Sequence, residues 1–523
     1  MNANGNDHRE SRRKFLTHGA TVLAAGAALP ALPALARSLR GEGATESVGA
    51  WPRQAATLER RNINGAYGSA SVDELRDVVR AMVALPPEDP RNWYRQAMIH
   101  VLDCPHNNAW FLPWHRGYLY WFERIARKLT QNPSFALPYW DWTANPSMPE
   151  AFFKGDLLDT NARSFIHDFP TFDRTFRGPM EAFWRDLTPN QRFQLELRGF
   201  TNFEMFWAEI HRYFGAGTRR ILNAGNRRPP NETLEAVSLP TLVNSLSTIV
   251  FQEFGGSLAA HHSAMGTPGM LEVQPHNLVH DAVGGYMGDF MSATDPVFWL
   301  HHGNVDRLWD IWRGLHKIAI LPGGPWVTEP FLFFCDENGE KVNGVSGDYL
   351  RSNSLGYTFE TSTLIPAAPS RPSNAAWQAK FPCQLQSTNL AINGSVTAST
   401  APGQAACAAF QRNCQTAILI EMDRPENAAA WCFKVEIKID GDTPTSFIHC
   451  GYAAFFGAMG GHGSGHMHHT GQLKIGIAEG MSKCLNGSSP GARKFTIVVR
   501  AQPAGNSLPT EILQVHRVEL ISL

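Results

Sequence analysis

The chain has 523 residues, 43% hydrophobic and 18% charged, which is too long for one small module and enough apolar material for more than one core. Lys plus Arg against Asp plus Glu is 46 − 47 = −1 with no basic run, so charge argues against nucleic acid or an anionic membrane surface as partner. Fifteen Trp, 31 Phe and 20 His point instead toward aromatic walls and imidazoles, the materials of a metal or haem pocket.

The N-terminus reads as an address. Ser11-Arg12-Arg13-Lys14-Phe15-Leu16 is a twin-arginine sequence, and Phe15 to Ala36 is an Ala-rich stretch without Asp, Glu, Lys or Arg that ends in the A-x-A signal Ala34-Leu35-Ala36. Pro30 and Pro33 interrupt it, which favours a cleaved Tat signal over residues 1–36 rather than a membrane anchor. Cleavage removes four basic and two acidic residues, leaving 42 − 45 = −3 on an exported, periplasmic or secreted body. No later segment resembles a membrane span, so no membrane association is expected after cleavage.

From about Ser71 to Trp312 the texture is helical and aromatic, with Tyr118 to Leu129 free of Gly and Pro. After Phe359 the composition shifts to Pro, Ser, Ala, Thr, Asn and Gln through about Gln411, the texture of a linker. Beyond it the period becomes two: Phe433, Val435, Ile437 and Ile439 alternate with Lys434, Glu436 and Lys438. The expected fold is a mostly α core over 37–360, a linker over 361–411 and a C-terminal β-sandwich over 412–523. Of eight cysteines, Cys104 stands alone in the N-terminal half and seven lie from Cys335 onward, an odd number that leaves at least one unpaired within that part.

His276 and His280 are four apart, which on a helix puts two imidazoles on one face. The Asp295 to Trp309 segment, with His301 and His302, supplies a third imidazole from another element. Three His with no carboxylate or thiolate suit copper or zinc. A second set, His100, His106 and His115, lies upstream, and two triplets imply two metals.

The strings His106 to Arg124, Leu137-Pro138-Tyr139-Trp140-Asp141-Trp142 and Asp295 to Trp309 together resemble the type 3 copper family of tyrosinases, catechol oxidases and hemocyanins. Tyr357-Thr358-Phe359 resembles the Y-x-F signature that closes that core. The β-rich tail resembles the C-terminal domain of plant-type polyphenol oxidases. The resemblance implies two copper ions per chain, held by His100, His106 and His115 and by His276, His280 and His302. Adjacent helical residues point about 100° apart, so His301 and His302 are not expected to serve one metal together, and His301 reads as a packing residue. Only six positions separate His100 from His106, fewer than in many relatives.

The same resemblance implies a thioether between Cys104 and His106, and a water held by Glu272 and Asn277 that takes the phenolic proton. Phe290 matches the aromatic over the copper pair, and a side chain of the tail plugs the entrance, with Phe456 or Met459 the candidates in Tyr452 to Met459. The implied activity is ortho-hydroxylation of monophenols and oxidation of o-diphenols to o-quinones by O2, latent until the tail is removed. The alternatives are a catechol or o-aminophenol oxidase without the hydroxylation step and, from another class, a hemocyanin-like oxygen carrier. His261 and His262 have no assigned role, and His462, His466, His468 and His469 form a Gly/His loop that is either copper-loading or merely solvated. The sequence is silent on oligomeric state.

Overall fold

In a computed structural model the described residues are 58–316, 321–360, 379–402, 416–439, 447–457, 470–477, 494–504 and 508–522. The twin-arginine segment, Met459 and most of the Gly/His loop lie outside them. Among the described residues no helix is long and apolar enough to cross a membrane.

The chain enters with strand β1 (Leu58–Arg60) and runs through helices α1 (Gly68–Val83), α2 (Trp93–Asp103), α3 (Phe111–Thr130), α4 (Phe169–Arg185), α5 (Pro189–Leu197) and α6 (Phe203–Ala216). It then forms α7 (Asn277–Val283) and α8 (Pro296–Leu315) before strand β2 (Tyr357–Phe359), which pairs in parallel with β1. Local chemistry sets the boundaries that matter. Asn92 caps α2 by accepting a hydrogen bond from the Tyr94 amide, and Pro105 holds Cys104 extended (ψ 121°), so the helix stops at Asp103 and the chain swings His106 inward. Asp295 caps α8 ahead of Pro296 at its first turn, and Arg220 pairs with that same carboxylate at 2.5 Å. Gly117 lets α3 approach its neighbours, since a Cβ there would lie 3.1 Å from the rings of Phe334 and Tyr349.

The tail packs two antiparallel sheets face to face. Its strands are β3 (Ala379–Pro382), β4 (Gln384–Leu385), β5 (Asn389–Ala391), β6 (Ser395–Thr400), β7 (Thr416–Asp423), β8 (Trp431–Ile439), β9 (Ile448–Ala453), β10 (Thr470–Ile477), β11 (Phe495–Pro503) and β12 (Ile512–Ser522). One sheet runs β9-β8-β11-β6-β4, the other β10-β7-β12-β3, with β5 pairing β12. Phe433, Val435, Ile437 and Ile439 are buried and Lys434, Glu436 and Lys438 half-buried, as the alternation requires.

One expectation is corrected here. Residues 379–400, assigned by composition to the linker, form four strands paired into these sheets. Composition misleads because only one face of β6 is apolar. Val396 and Ala398 are buried, while Ser395, Thr397 and Ser399 face outward. The described cysteines, Cys104, Cys335, Cys383, Cys432 and Cys450, are all free thiols.

The helical and β regions exchange side chains. Phe456 of the tail belongs to the hydrophobic cluster of the helices, and Val273 of the helical region belongs to the cluster between the sheets. Lys474 of β10 pairs with Glu253 at 2.5 Å with both side chains buried. The Asn277 amide donates to the Ala454 carbonyl at 2.7 Å, and Thr267 donates to Gln472 at 2.7 Å. A buried pair such as Lys474–Glu253 sets register more than it adds net stability, because desolvation offsets most of its Coulomb attraction.

Candidate metal centre

The seven histidines that the sequence places around the two metals converge on one buried place. His100 on α2, His106 in the turn after it and His115 on α3 form one group with Cys104; His276, His280, His301 and His302 form the other. Within each group the ligand atoms all lie within 4.8 Å of one another. The rings of His115 and His302 stack at 4.2 Å and 10°, joining the two groups.

Hydrogen bonds decide which nitrogen is free in five of the rings, while His302 Nδ1 has no partner among the described residues. His100 Nδ1 donates to the Phe290 carbonyl at 2.9 Å, His115 Nδ1 to Phe111 at 2.7 Å and His280 Nδ1 to Met287 at 2.7 Å. A carbonyl only accepts, so the proton sits on Nδ1 and Nε2 keeps its lone pair. His276 Nδ1 donates to Asn277 Oδ1 at 2.8 Å and His106 Nδ1 to Glu272 Oε1 at 3.0 Å, with the same result. Burial pushes all of these imidazoles toward the neutral form, His100 and His276 to about 3.

The donor set fits metal. His302 Nε2 lies 3.4 Å from His276 Nε2 and 3.2 Å from His280 Nε2, and His100 Nε2 lies 3.4 Å from His115 Nε2. Three nitrogens about 2 Å from one ion stand roughly 3.3–3.5 Å apart. Buried imidazole nitrogens converging this closely suit a cation, and His106 Nε2 has no partner among the described residues.

His301 is nearer to the second group than its packing role anticipates. Its ring stacks on His276 at 5.1 Å and 26°, but its Nδ1 accepts from Trp142 Nε1 at 3.2 Å. That places the neutral ring's proton on Nε2, where a ligand would need its lone pair. His302 belongs to the same group, with Nε2 3.4 Å from His276 Nε2 and 3.2 Å from His280 Nε2.

The remaining expected residues surround this centre. Glu272 is buried and accepts from both His106 Nδ1 and the Asn107 amide (2.8 Å). Burial pushes its carboxyl up to about 8, and Oε2 has no partner among the described residues. Asn277 is spoken for on both sides, by His276 and by the Ala454 carbonyl of the tail. Phe290 lies 5.4 Å from His106 and 5.8 Å from His100, ring to ring. Phe456 sits between the groups, 4.4 Å from His280 and 4.6 Å from His106. Cys104 Sγ is 3.0 Å from His100 Nε2 and 3.5 Å from His115 Nε2.

Sequence reasoning gave His262 no role. It is buried between Asp103 Oδ1 (2.9 Å) and Glu329 Oε1 (2.7 Å), and its carbonyl accepts from Asn108 at 2.8 Å, so it braces the turn that carries His106. Burial works to lower its pKa, but the two carboxylates outweigh it and hold the imidazolium at about 9. The neighbouring acid Asp103 is the one local sign of this, and nothing in sequence links it to position 262.

Two groups of buried, neutral imidazoles on a helical scaffold define a binuclear metal protein. The common central domain of tyrosinase matches residues 88–315, a span that holds every one of these histidines. A chloroplastic polyphenol oxidase of Malus domestica is 30% identical over 340 residues, 59% of this chain and 49% of that protein. Tyrosinase HcTyr1 of Hahella sp. (strain CCB-MM4) is 30% identical over 278 residues, 51% of each chain. The chain thus matches about half the length of these curated relatives. In fold it is similar to a latent aurone synthase (TM-score 0.57, 21% identity, 90% of each chain) and to latent apple tyrosinase (TM-score 0.55, 19% identity, 90% of this chain and 98% of that one). Residues 88–315 thus match a tyrosinase-type central domain, and the two histidine groups within them fit a binuclear copper centre.

Proposed function

We propose that this protein is a latent, Tat-exported polyphenol oxidase that ortho-hydroxylates monophenols and oxidises o-diphenols to o-quinones with O2. The observation that carries the reading is the convergence of Nε2 lone pairs in two joined groups, His100, His106 and His115 facing His276, His280 and His302. Two copper ions, when bound there, supply oxygen activation and the exchange of electrons with the phenol.

The chain's own residues handle the phenol and its proton. A phenol with pKa near 10 is mostly neutral at pH 7 and must lose a proton on docking. Glu272 is held beside His106 and the Asn107 amide, and its unpartnered Oε2 is the oxygen free to hold a water that relays the proton. Asn277 fixes the His276 ring and is freed to reach that water once the Ala454 carbonyl withdraws with the tail. Phe290 supplies the aromatic wall against which a phenol ring packs. Phe456 fills the place the substrate ring would take, so the closed molecule is inactive toward phenols. Met459, the other candidate plug, lies outside the described residues.

Oxygen uptake with a monophenol and its o-diphenol, together with copper analysis, tests this reading. Glu272→Gln or Asn277→Ala slows monophenol hydroxylation much more than diphenol oxidation, because the diphenol has the easier proton to lose. Equal losses on both substrates assign these residues a structural role. Copper content without turnover of either substrate favours the oxygen carrier.

Cys104 and His106 are proposed to be joined by a thioether in the copper-loaded protein. One C–S bond forms, and the thiol and ring hydrogens leave with two electrons to O2. Cys104 shares one buried group with His106, although its Sγ stands nearest to His100 Nε2 (3.0 Å) and His115 Nε2 (3.5 Å). A peptide spanning both residues is then two hydrogens lighter by mass spectrometry than its sequence. A Cys104 thiol freely alkylated in active enzyme rules the link out.

A further inference from the structure

Beside the metal centre, at the seam between the helical and β regions, lies a small pocket whose walls include Arg198, Asn107, Met265 and Phe290 from the helical region and Arg424 from the tail. No carboxylate lines it among the described residues.

Arg424 follows β7, and its Nη2 donates to the carbonyls of Phe456 and Gly457, the latter at 2.8 Å. Its Nε and Nη1 are buried and have no partner among the described residues. Glu272 feels the field of Arg424, yet its oxygens are either committed to His106 and Asn107 or unpartnered, so the two form no ion pair. Arg198 spends Nε and Nη1 on the carbonyls of Val101 (2.8 Å) and Cys104 (2.7 Å), with its guanidinium 5.3 Å from the Phe290 ring centroid. The one other cation of the pocket, His262, is already flanked by Asp103 and Glu329.

A buried guanidinium with two idle N–H groups is costly, and burial lowers Arg424 to about 10, still charged at neutral pH. An anion with two oxygens in one plane matches those groups best. We propose that a small carboxylate binds in this pocket, accepting hydrogen bonds from Nε and Nη1 of Arg424 and facing Arg198 across the seam. One arginine belongs to the tail and the other to the helices, so the anion ties the regions together. Arg424 also holds the backbone of Phe456, so the bound anion keeps that ring in place; this consequence, though not the site itself, rests on the reading of Phe456 as a plug.

Calorimetric titration of the copper-loaded, full-length protein with acetate at constant ionic strength tests the site, with acetamide as the uncharged control. Saturable binding of acetate and none of acetamide is expected. Arg424→Gln and Arg198→Gln each weaken it about tenfold or more, as loss of a charged hydrogen bond does, and Arg424→Lys keeps part of it. Absence of saturable binding overturns the proposal. So does binding that survives in both Gln variants, which would place acetate on the metals. Titration of the Phe456→Ala variant with 4-hydroxyphenylacetate, without O2 so that it is not turned over, identifies the source: affinity equal to that of acetate means a free anion, tighter binding the substrate's own carboxylate. Phe456→Ala keeps the backbone carbonyls that Arg424 holds. If it binds acetate without gaining activity, the plug reading fails and the site stands; if it gains activity with no arginine-dependent binding, the reverse holds.

Discussion

Phe456→Ala is expected to raise phenol oxidation by the full-length protein by up to about 100-fold with no change in copper content. The ring stands 4.4 Å from His280 and 4.6 Å from His106, the place proposed for a phenol ring, and it is anchored by Arg424 through its own carbonyl. If the open form is a minor state of roughly 1%, unplugging the site recovers about two orders of magnitude. Removing a buried Phe costs roughly 3–5 kcal/mol, so copper content and thermal midpoint are measured alongside the rate. Cleavage between about Thr361 and the first sheet strand at Ala379 acts by the same route if the tail then departs. The Lys474–Glu253 pair, the Asn277–Ala454 bond and the exchange of Phe456 for Val273 hold the tail in place, so cleavage followed by mild detergent gives the larger gain. A full-length enzyme already as fast as its trimmed core, on bulky phenols as well as small ones, shows that the tail is no lid.

The second large effect lies within the histidine pair. His302→Ala reduces copper from two to about one per chain and abolishes oxygen binding, because the Nε2 that converges with His276 and His280 is lost. His301→Ala retains both metals and costs less, since its Nδ1 is bonded to Trp142 and its proton occupies the other nitrogen. Copper analysis with the optical band of the peroxide-treated protein separates the two. Emptying of the second site by His301→Ala alone would reverse the assignment.

How much of this was legible in the chain differs from element to element. The order of helices, the alternating strand at Phe433 to Ile439 and both histidine sets are local patterns, in which spacing alone carries the geometry. The strands over 379–400 were illegible because Ser, Thr and Asn on a solvent-facing sheet surface look like linker composition, and only pairing with β11 and β12 reveals them. His262 was illegible for a different reason. Its two carboxylate partners are 159 and 67 positions away, and no local rule joins them.

Sequence by itself determined the chemistry: which side chains can take metal, that they come in two sets, and that an aromatic segment of the tail follows the core. Residue type and short spacing suffice for that, because ligand identity is a property of the side chain and i, i+4 geometry a property of the helix. Tertiary structure alone decided which nitrogen is free in His100, His106, His115, His276 and His280, since the acceptors are Phe290, Glu272, Phe111, Asn277 and Met287, several of them on other segments. It also placed His302 Nε2 within 3.4 Å of His276 Nε2 and 3.2 Å of His280 Nε2, Phe456 between the two groups, and Arg198 and Arg424 in one pocket. These depend on where distant segments stop against one another. That is settled by close packing of the whole molecule and by the need to satisfy each buried polar atom, conditions that no local window of sequence contains.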